Sequence, residues 1–164
     1  MELLVTIAVV GVLLAIAVPS FQSLFNRNRV ATVVNDLLGG LYYARTEGIR
    51  RALPTTICMS SNQTSCATTG SWANGWIVWV DLNSNGTLDT GELVRAHGPI
   101  NAGNTALSAS QNSYTFTAQG ALVSGGSAGT FTVCTPNDLT LSRQIAVQTS
   151  GQIGSQPIAT ATCP

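Results

Sequence analysis

A segment in the middle of the chain, Asp81–Glu92, has the residue types and the spacing of a calcium-binding loop. It reads Asp-Leu-Asn-Ser-Asn-Gly-Thr-Leu-Asp-Thr-Gly-Glu and satisfies the pattern D-x-[DN]-x-[DN]-G-x5-E. Calcium prefers oxygen ligands, and the residues that would offer them are Asp81, Asn83, Asn85, Thr87 through its carbonyl, Asp89 and Glu92, with Gly86 at the sharp turn. Three of the seven acidic residues of the chain lie here, which favours a metal site. Because only three carboxylates contribute, the expected affinity is weak, about 10⁻⁴–10⁻³ M.

A metal-free polar loop is the alternative interpretation of this segment. The flanking residues predict strands rather than the helices of an EF-hand, and Asn85-Gly86 is a favoured turn pair of an ordinary β-hairpin. If calcium binds, we expect it to stabilise the loop rather than to signal.

The four cysteines are candidates for disulfide bonds. Cys58, Cys66, Cys134 and Cys163 form an even set that allows three connectivities. We expect Cys58–Cys66, which closes a short loop, and Cys134–Cys163, which ties the C-terminal tail to a strand. Zinc is the competing use, but the spacings match no common zinc motif and the one histidine, His97, is far away in sequence.

The remaining composition argues against catalysis and against a strongly basic surface. The chain has no lysine, and no serine motif has a base nearby in sequence. Its net charge is zero, and five of its seven arginines lie between residues 27 and 51. Only Arg95 and Arg143 follow, so a nucleic-acid surface would require these few arginines to converge. We expect no enzymatic activity and no required cofactor.

The N-terminal segment predicts a membrane helix. No charged residue lies between Leu3 and Val18, and the apolar pattern continues through Phe25. A helix over Leu3–Val18 rises about 24 Å, and continuing to Phe25 covers the roughly 30 Å hydrocarbon core. Glu2 stands at the end of this helix, where a carboxylate costs several kcal/mol unless it is paired, so we treat Glu2 as a candidate functional residue. A cleaved signal peptide and an ordinary signal anchor are the alternatives.

Residues 27–53 predict a continuation of the helix with one apolar face. The apolar residues recur at helical spacing and are Val30, Val33, Val34, Leu37, Leu38, Leu41, Ala44 and Ile49. Pro19 predicts a kink near the membrane boundary, Gly39-Gly40 weakens the helix by roughly 1 kcal/mol per glycine, and Pro54 predicts its end. We therefore expect a membrane half at 1–26, an amphipathic half at 27–53 and a globular β domain at 54–164.

Beyond Pro54 the pattern becomes extended. The predicted strands are Thr55–Met59, Gly75–Val80, Leu93–Ala96, Ala106–Ala109, Tyr114–Thr117, Thr130–Cys134 and Gln144–Gln148, with a turn at Gly125-Gly126. We expect Leu93–Ala96 to pair with Gly75–Val80. One long helix followed by a run of strands predicts an α+β fold in which the helix packs on antiparallel β-sheet.

Several segments carry a family resemblance. Glu2–Val9 and Ala15–Phe21 resemble the N-terminus of a type IV pilin. The segments that resemble the GspH/FimT group of minor pilins and pseudopilins are Asn28–Val30, Tyr43–Arg50, Gly75–Asp81 and the Ser150-Gly151 turn. The resemblance implies a protruding N-terminal helix with one or two small β-sheets on its C-terminal half. In this family a leader is removed and the mature chain, which is N-methylated, begins Phe-Thr-Leu-Ile-Glu-Leu-Leu. Met1 stands at the position of the Ile, so we expect the leader and Phe-Thr-Leu to precede it in the full protein.

The resemblance implies a minor pilin of a type IV pilus. Such a subunit sits in the bacterial inner membrane with its globular domain in the periplasm, and it then joins other major and minor pilins through its helix. Glu2 would pair with the N-terminal amine of a neighbouring subunit, and Pro19 would shape the helix for assembly. A minor pseudopilin of type II secretion is the first alternative.

The second alternative is a DNA-binding minor pilin of natural transformation. The DNA-binding relatives carry a G-R-x-R tract near the C-terminus, which here reads Gly151-Gln152-Ile153-Gly154 without arginines. Arg143 and Gln152 are the remaining candidates for DNA contact. Because phosphate contacts dominate such affinity, we do not expect DNA binding.

Overall fold

The computed structural model describes residues 2–100, 103, 105–135 and 138–158, without the side chains of residues 8, 14–20 and 138. Its regular elements are α1 (Glu2–Arg51), β1 (Thr55–Met59), a 3-10 turn (Trp72–Asn74), β2 (Trp76–Val80), β3 (Leu93–His97), β4 (Ala106–Ala109), β5 (Ser113–Phe116), β6 (Gly129–Thr135), β7 (Asp138–Val147) and β8 (Ile153–Pro157).

The strands form two antiparallel sheets of four strands each. Their orders are β3-β2-β1-β5 and β4-β6-β7-β8. In the first sheet, Ile57 of β1 lies opposite Val78 of β2 and Tyr114 of β5, and all three residues are buried. The second half of α1 packs on both sheets. The predicted α+β fold, with a long helix on antiparallel sheet, is confirmed.

The apolar stripe of α1 forms one side of the core. Its buried members are Val30, Val33, Val34, Leu37, Leu41 and Ala44. Leu38 is partly buried, whereas Ile49 is 46 % exposed because it lies at the rim of the core, beside Gly120. The prediction from helical spacing is therefore correct for the middle of the stripe and wrong for the burial of Ile49.

Gly40 sets the distance between α1 and the first sheet. A Cβ atom at this position would lie 2.8 Å from Cζ2 of Trp76 and 3.1 Å from Cδ1 of Ile57. Both side chains are fully buried and cannot move aside without disturbing the core. Gly40 thus permits close packing of the helix, which offsets its unfavourable helix propensity.

The helix ends two residues before the predicted boundary. Ala52 has a positive φ of 56°, the Ala52 N–H donates to the Ile49 carbonyl, and the Leu53 N–H donates to the Gly48 carbonyl. This pair of hydrogen bonds is a Schellman motif, which satisfies carbonyls of the last turn. The helix therefore ends at Arg51 through its own cap, ahead of Pro54.

The second sheet differs from the prediction at its C-terminal strands. β7 begins at Asp138, six residues before the predicted start at Gln144, and β8 is not predicted at all. The residues of β8 after Ile153 are Gly, Ser, Gln and Pro, which have low strand propensity. β8 forms because it pairs with β7, from Val147 opposite Ile153 to Arg143 opposite Pro157.

Candidate functional site

The first part of α1 is an exposed apolar surface. Leu3 and Leu4 are 71 % and 70 % exposed. We call the following set the apolar helix surface: Leu3, Leu4, Val5, Ile7, Val9, Val10, Val12, Leu13, Phe21, Leu24 and Phe25. Glu2 is exposed at its end, and Pro19 lies within α1, where its side chain is outside the description. In the described residues, no helix has an apolar run of the length needed to cross a membrane.

Two polar contacts fix the packed part of α1 to the strands. Tyr42 donates from Oη to the carbonyl of Ile153 at 2.8 Å, and Arg45 donates from Nε to the carbonyl of Gly120 at 2.8 Å. The first contact reaches β8, and the second reaches the turn that follows β5. The sequence analysis did not identify either residue, although Arg45 lies in the Tyr43–Arg50 segment that carries the family resemblance.

Glu47 is a buried carboxylate near the end of α1. Its Oε2 atom lies 2.8 Å from Nη2 of Arg50 and 2.7 Å from Nε of Arg51. Hydrogen bonds from Arg50, and then from Arg51, hold the pKa of Glu47 below its ordinary value of 4.5. The i,i+3 and i,i+4 spacings of these residues are the sequence signal that predicts the cluster.

The backbone of the Ser150-Gly151 turn lies close to the backbone of Gly120. Gly151 has a φ of 77°, and a Cβ atom at this position would collide with the carbonyl oxygen of Gly120. That oxygen is the one that accepts from Arg45. Because Gly151 has no side chain, the Ser150-Gly151 turn, the turn at Gly120 and α1 can come together at the Gly120 carbonyl oxygen.

The loop Asp81–Glu92 joins β2 to β3 and is closed by its own carboxylates. Both oxygens of buried Asp81 accept backbone N–H groups, from Asn85 at 3.1 Å and Gly86 at 2.8 Å. Both oxygens of buried Glu92 do the same, from Leu82 at 2.8 Å and from Asp89 at 2.9 Å. These hydrogen bonds satisfy backbone N–H groups of a loop that, in the described chain, has no neighbouring strand to pair with.

The remaining polar side chains of the loop bond to one another. Oδ2 of Asp89 accepts from the Nδ2 atoms of Asn83 at 2.9 Å and Asn85 at 2.7 Å. These hydrogen bonds, that of Asn83 first, hold the pKa of Asp89 below its ordinary value of 3.8. Oδ1 of Asn85 accepts both the N–H and the hydroxyl of Thr87.

The geometry of this loop gives no further support to calcium. Over the described ranges, no group of three or more His, Cys, Asp or Glu side chains is placed to hold a metal ion. Several of the oxygens that the pattern assigns to calcium accept hydrogen bonds from within the loop. Calcium binding stays a prediction from the sequence pattern.

The first disulfide is confirmed and the second lies partly outside the description. Cys58 and Cys66 are bonded, with Cα atoms 5.5 Å apart. Closing this short loop stabilises the fold by about 2.5 kcal/mol in the chain-entropy estimate. Cys134 is buried in β6, but Cys163 lies outside the described residues, so its predicted pairing with Cys134 stays a prediction.

Arg143 and Gln152 do not form a common surface. Arg143 lies opposite Pro157, whereas Gln152 precedes β8, and its carbonyl accepts the N–H of Gln148. They stand near opposite ends of the β7–β8 hairpin. Arg143 instead lines a cleft together with Arg27 of α1. No sequence pattern indicates that these two arginines lie at the same cleft.

The chain resembles a known protein family in sequence and solved structures in fold. The family model described as "Type II transport protein GspH" matches residues 33–151, which is most of the chain. No curated protein matches the chain.

Two crystal structures of the type IV minor pilin FimU from Pseudomonas aeruginosa (strain PAO1) have a similar fold. The form in space group P21 has a TM-score of 0.62 and 22 % identity over 80 % of this chain and 90 % of that chain. The form in P65 has a TM-score of 0.54 and 21 % identity over 78 % and 90 %, respectively. This family and this fold are those of structural proteins rather than enzymes, which confirms the expectation of no catalysis. The chain therefore belongs to the GspH family of pilin-like proteins, as its helix and its central strand indicated.

Proposed function

We propose that this chain is a minor pilin of a type IV pilus that acts in filament initiation, assembly or tip structure. The observation that carries the proposal is the division of α1. Its second half buries one apolar stripe against the sheets, while the apolar helix surface projects unpartnered in the described chain. An apolar surface of this extent marks a site of interaction with protein or membrane. Packing against the helices of other pilins would bury it, and the pilin family implies such assembly in a filament.

Glu2 is the proposed assembly residue. It is exposed at the beginning of the apolar helix surface. A carboxylate in an apolar helix bundle needs a cationic partner, and the N-terminal amine of a neighbouring subunit would supply one. Before assembly, the same surface would lie in the bacterial inner membrane with the globular part in the periplasm. We propose that Pro19 also acts in assembly, by shaping the helix to fit the helices of its neighbours.

Two alternatives share the fold. A minor pseudopilin of type II secretion would use the same helix in a different machine. A DNA-binding minor pilin would need arginines that converge, and the separation of Arg143 from the Gln152 turn does not support this role.

The test is surface piliation, scored separately from DNA uptake, in a strain that lacks the protein. The strain is complemented with the complete gene, carrying either the native residue, Glu2→Ala or the control Asp36→Asn. The control removes the same charge from the same helix. We expect pili with the native gene and with Asp36→Asn, and none with Glu2→Ala. Pili that persist in the deletion strain while uptake fails would identify a DNA receptor, and persistence of both would identify the secretion machine.

A further inference from the structure

A polar cleft lies where α1 enters the globular part. It has a volume of about 590 Å³ and is lined by the first packed turns of α1 and by residues of β7 and β8. Arg27 stands on the helix side and Arg143 on the sheet side, with Asn28, Asn35 and Ser155 among the other polar residues of the lining. None of the described residues that line it is acidic. We call it the Arg27–Arg143 cleft.

The two guanidinium groups have no anionic partner in the described part of the chain. No hydrogen bond or ion pair engages Arg27 or Arg143 there. By contrast, Arg45 donates to the Gly120 carbonyl, and Arg50 is paired with Glu47. The cleft thus has one arginine on its helix side and one on its sheet side, and both are open to an external anion.

The position of the cleft indicates which anion it fits. Phe21, Leu24 and Phe25 are 60 %, 51 % and 60 % exposed and directly precede Arg27, whereas Val30 is buried. At 1.5 Å and about 100° per residue, Leu24 lies about 4.5 Å from Arg27 along the axis and about 60° around it, and Phe21 lies about 9 Å along and about 120° around. Phe25 is offset by about 160° and lies on the far side of the helix. A ligand with an anionic head and an apolar tail would contact both regions at once.

We propose that the Arg27–Arg143 cleft binds the anionic headgroup of a phospholipid. The phosphate lies between the two guanidinium groups, and the acyl chains follow Leu24 and Phe21. Guanidinium groups bind phosphate through paired N–H donors, and the volume of the cleft suits a small headgroup. A nucleic acid is less suitable, because it requires a row of basic residues along its backbone rather than two arginines beside an apolar helix. The inference rests on the membrane stage of the proposed function.

The experiment measures lipid binding to the full chain purified in detergent, by native mass spectrometry with added phosphatidylglycerol or phosphatidylcholine. We expect the native chain to prefer phosphatidylglycerol, and Arg27→Gln and Arg143→Gln each to weaken that binding about fivefold. The control Arg29→Gln removes an equal charge two residues from Arg27, outside the cleft lining, and should change the binding little. Asn35→Asp is a second variant that places a carboxylate in the cleft and should also weaken the binding.

Other outcomes overturn the proposal. An equal loss of phosphatidylglycerol binding in Arg29→Gln and in Arg27→Gln would show that the lipid is attracted to positive charge in general and not to a specific site. Displacement of the lipid by an equal concentration of inorganic phosphate would show a phosphate site without a lipid tail. Binding of single-stranded DNA that depends on Arg27 and Arg143, with lipid binding unchanged, would assign the cleft to nucleic acid. Lipid binding is measured without filaments, so its failure is separate from a failure of the piliation test.

Discussion

At Gly40 the absence of a single methyl group decides how closely the helix can approach the sheet. The indole of Trp76 would lie 2.8 Å from a Cβ at this position, which is too close for ordinary contact. At the neighbouring Gly39, a Cβ would meet no described atom within 4 Å. The two adjacent glycines have the same helix propensity, but only at Gly40 does the lack of a side chain permit close packing of the helix on the sheet.

This contrast predicts opposite effects of alanine at the two positions. Gly39→Ala should raise the free energy of unfolding by up to about 1 kcal/mol, because alanine favours the helix. Gly40→Ala should lower it by about 1 kcal/mol, because overpacking against Trp76 exceeds that gain. Urea denaturation of both variants measures the difference. A stabilised Gly40→Ala variant would show that Trp76 has room to move.

Glu47 predicts a pH dependence of stability. Its pKa is lowered in the folded chain, so its contribution is fully present above the ordinary value of 4.5 and is lost as the pH falls through the folded-state pKa. Because the side chains of Arg50 and Arg51 are 62 % and 37 % exposed, solvent screens the ion pairs and we expect a contribution of about 1 kcal/mol.

The measurement compares urea unfolding of the native chain and of Glu47→Gln at about pH 7 and about pH 3. The variant should be less stable than the native chain at the higher pH, and the difference should shrink at the lower pH. Asp36→Asn is the control, since no ion pair holds Asp36 in the described residues. A difference that is equal at both pH values would contradict the role of the charge.

At the scale of the element, the sequence predicts the central strands well and the last ones poorly. β1 and β2 are rich in β-branched and aromatic residues, and their local pattern is enough to identify them. β8 contains Gly154 and Pro157 and exists only because β7 offers it a partner. Local patterns cannot report such pairing, since the information lies in distant residues.

The Asp81–Glu92 loop shows the same limit for a site. The spacing correctly places a turn at Gly86, which has a φ of 75°. It does not reveal that Asp81 and Glu92 are used as acceptors for backbone N–H groups. The same oxygen atoms suit a metal ion and a loop without one, so spacing alone cannot distinguish the two.

Replacement of Glu92 separates these interpretations. Glu92→Gln turns one acceptor into a donor and leaves a backbone N–H of Leu82 or Asp89 without its partner, so it should destabilise the fold by about 1–3 kcal/mol with or without calcium. Thermal unfolding in a chelator and in millimolar calcium measures both effects. A rise in the melting temperature with calcium that the variant abolishes would establish a metal site.

At the scale of the whole molecule, the second half of α1 packs on the two sheets, whereas its first half packs on no described residue. The first buried residue of α1 is Val30, and the described side chains before it are exposed or only partly buried. Among the described residues the core is therefore built from residue 30 onward, and the expected boundary near residue 27 stays a prediction.

This division predicts the behaviour of a shortened chain. A chain that begins at Arg27 keeps all the buried residues of α1, so its free energy of unfolding should stay within about 0.5 kcal/mol of that of the full chain in detergent. It should be monomeric in light scattering without detergent, whereas the full chain should associate through the apolar helix surface. Aggregation of the shortened chain would show that the first half of α1 also supports the domain.

The contacts of Tyr42 and Arg45 have a mechanical consequence. A filament transmits tension through its helices, so a pull on α1 would slide it lengthwise past both sheets. The Tyr42–Ile153 and Arg45–Gly120 hydrogen bonds, together with the packed stripe, would then be loaded at the same moment rather than one after another. Such parallel loading makes the joint between helix and sheets resist shear as a single unit, and the globular part should stay folded while the fibre is stretched.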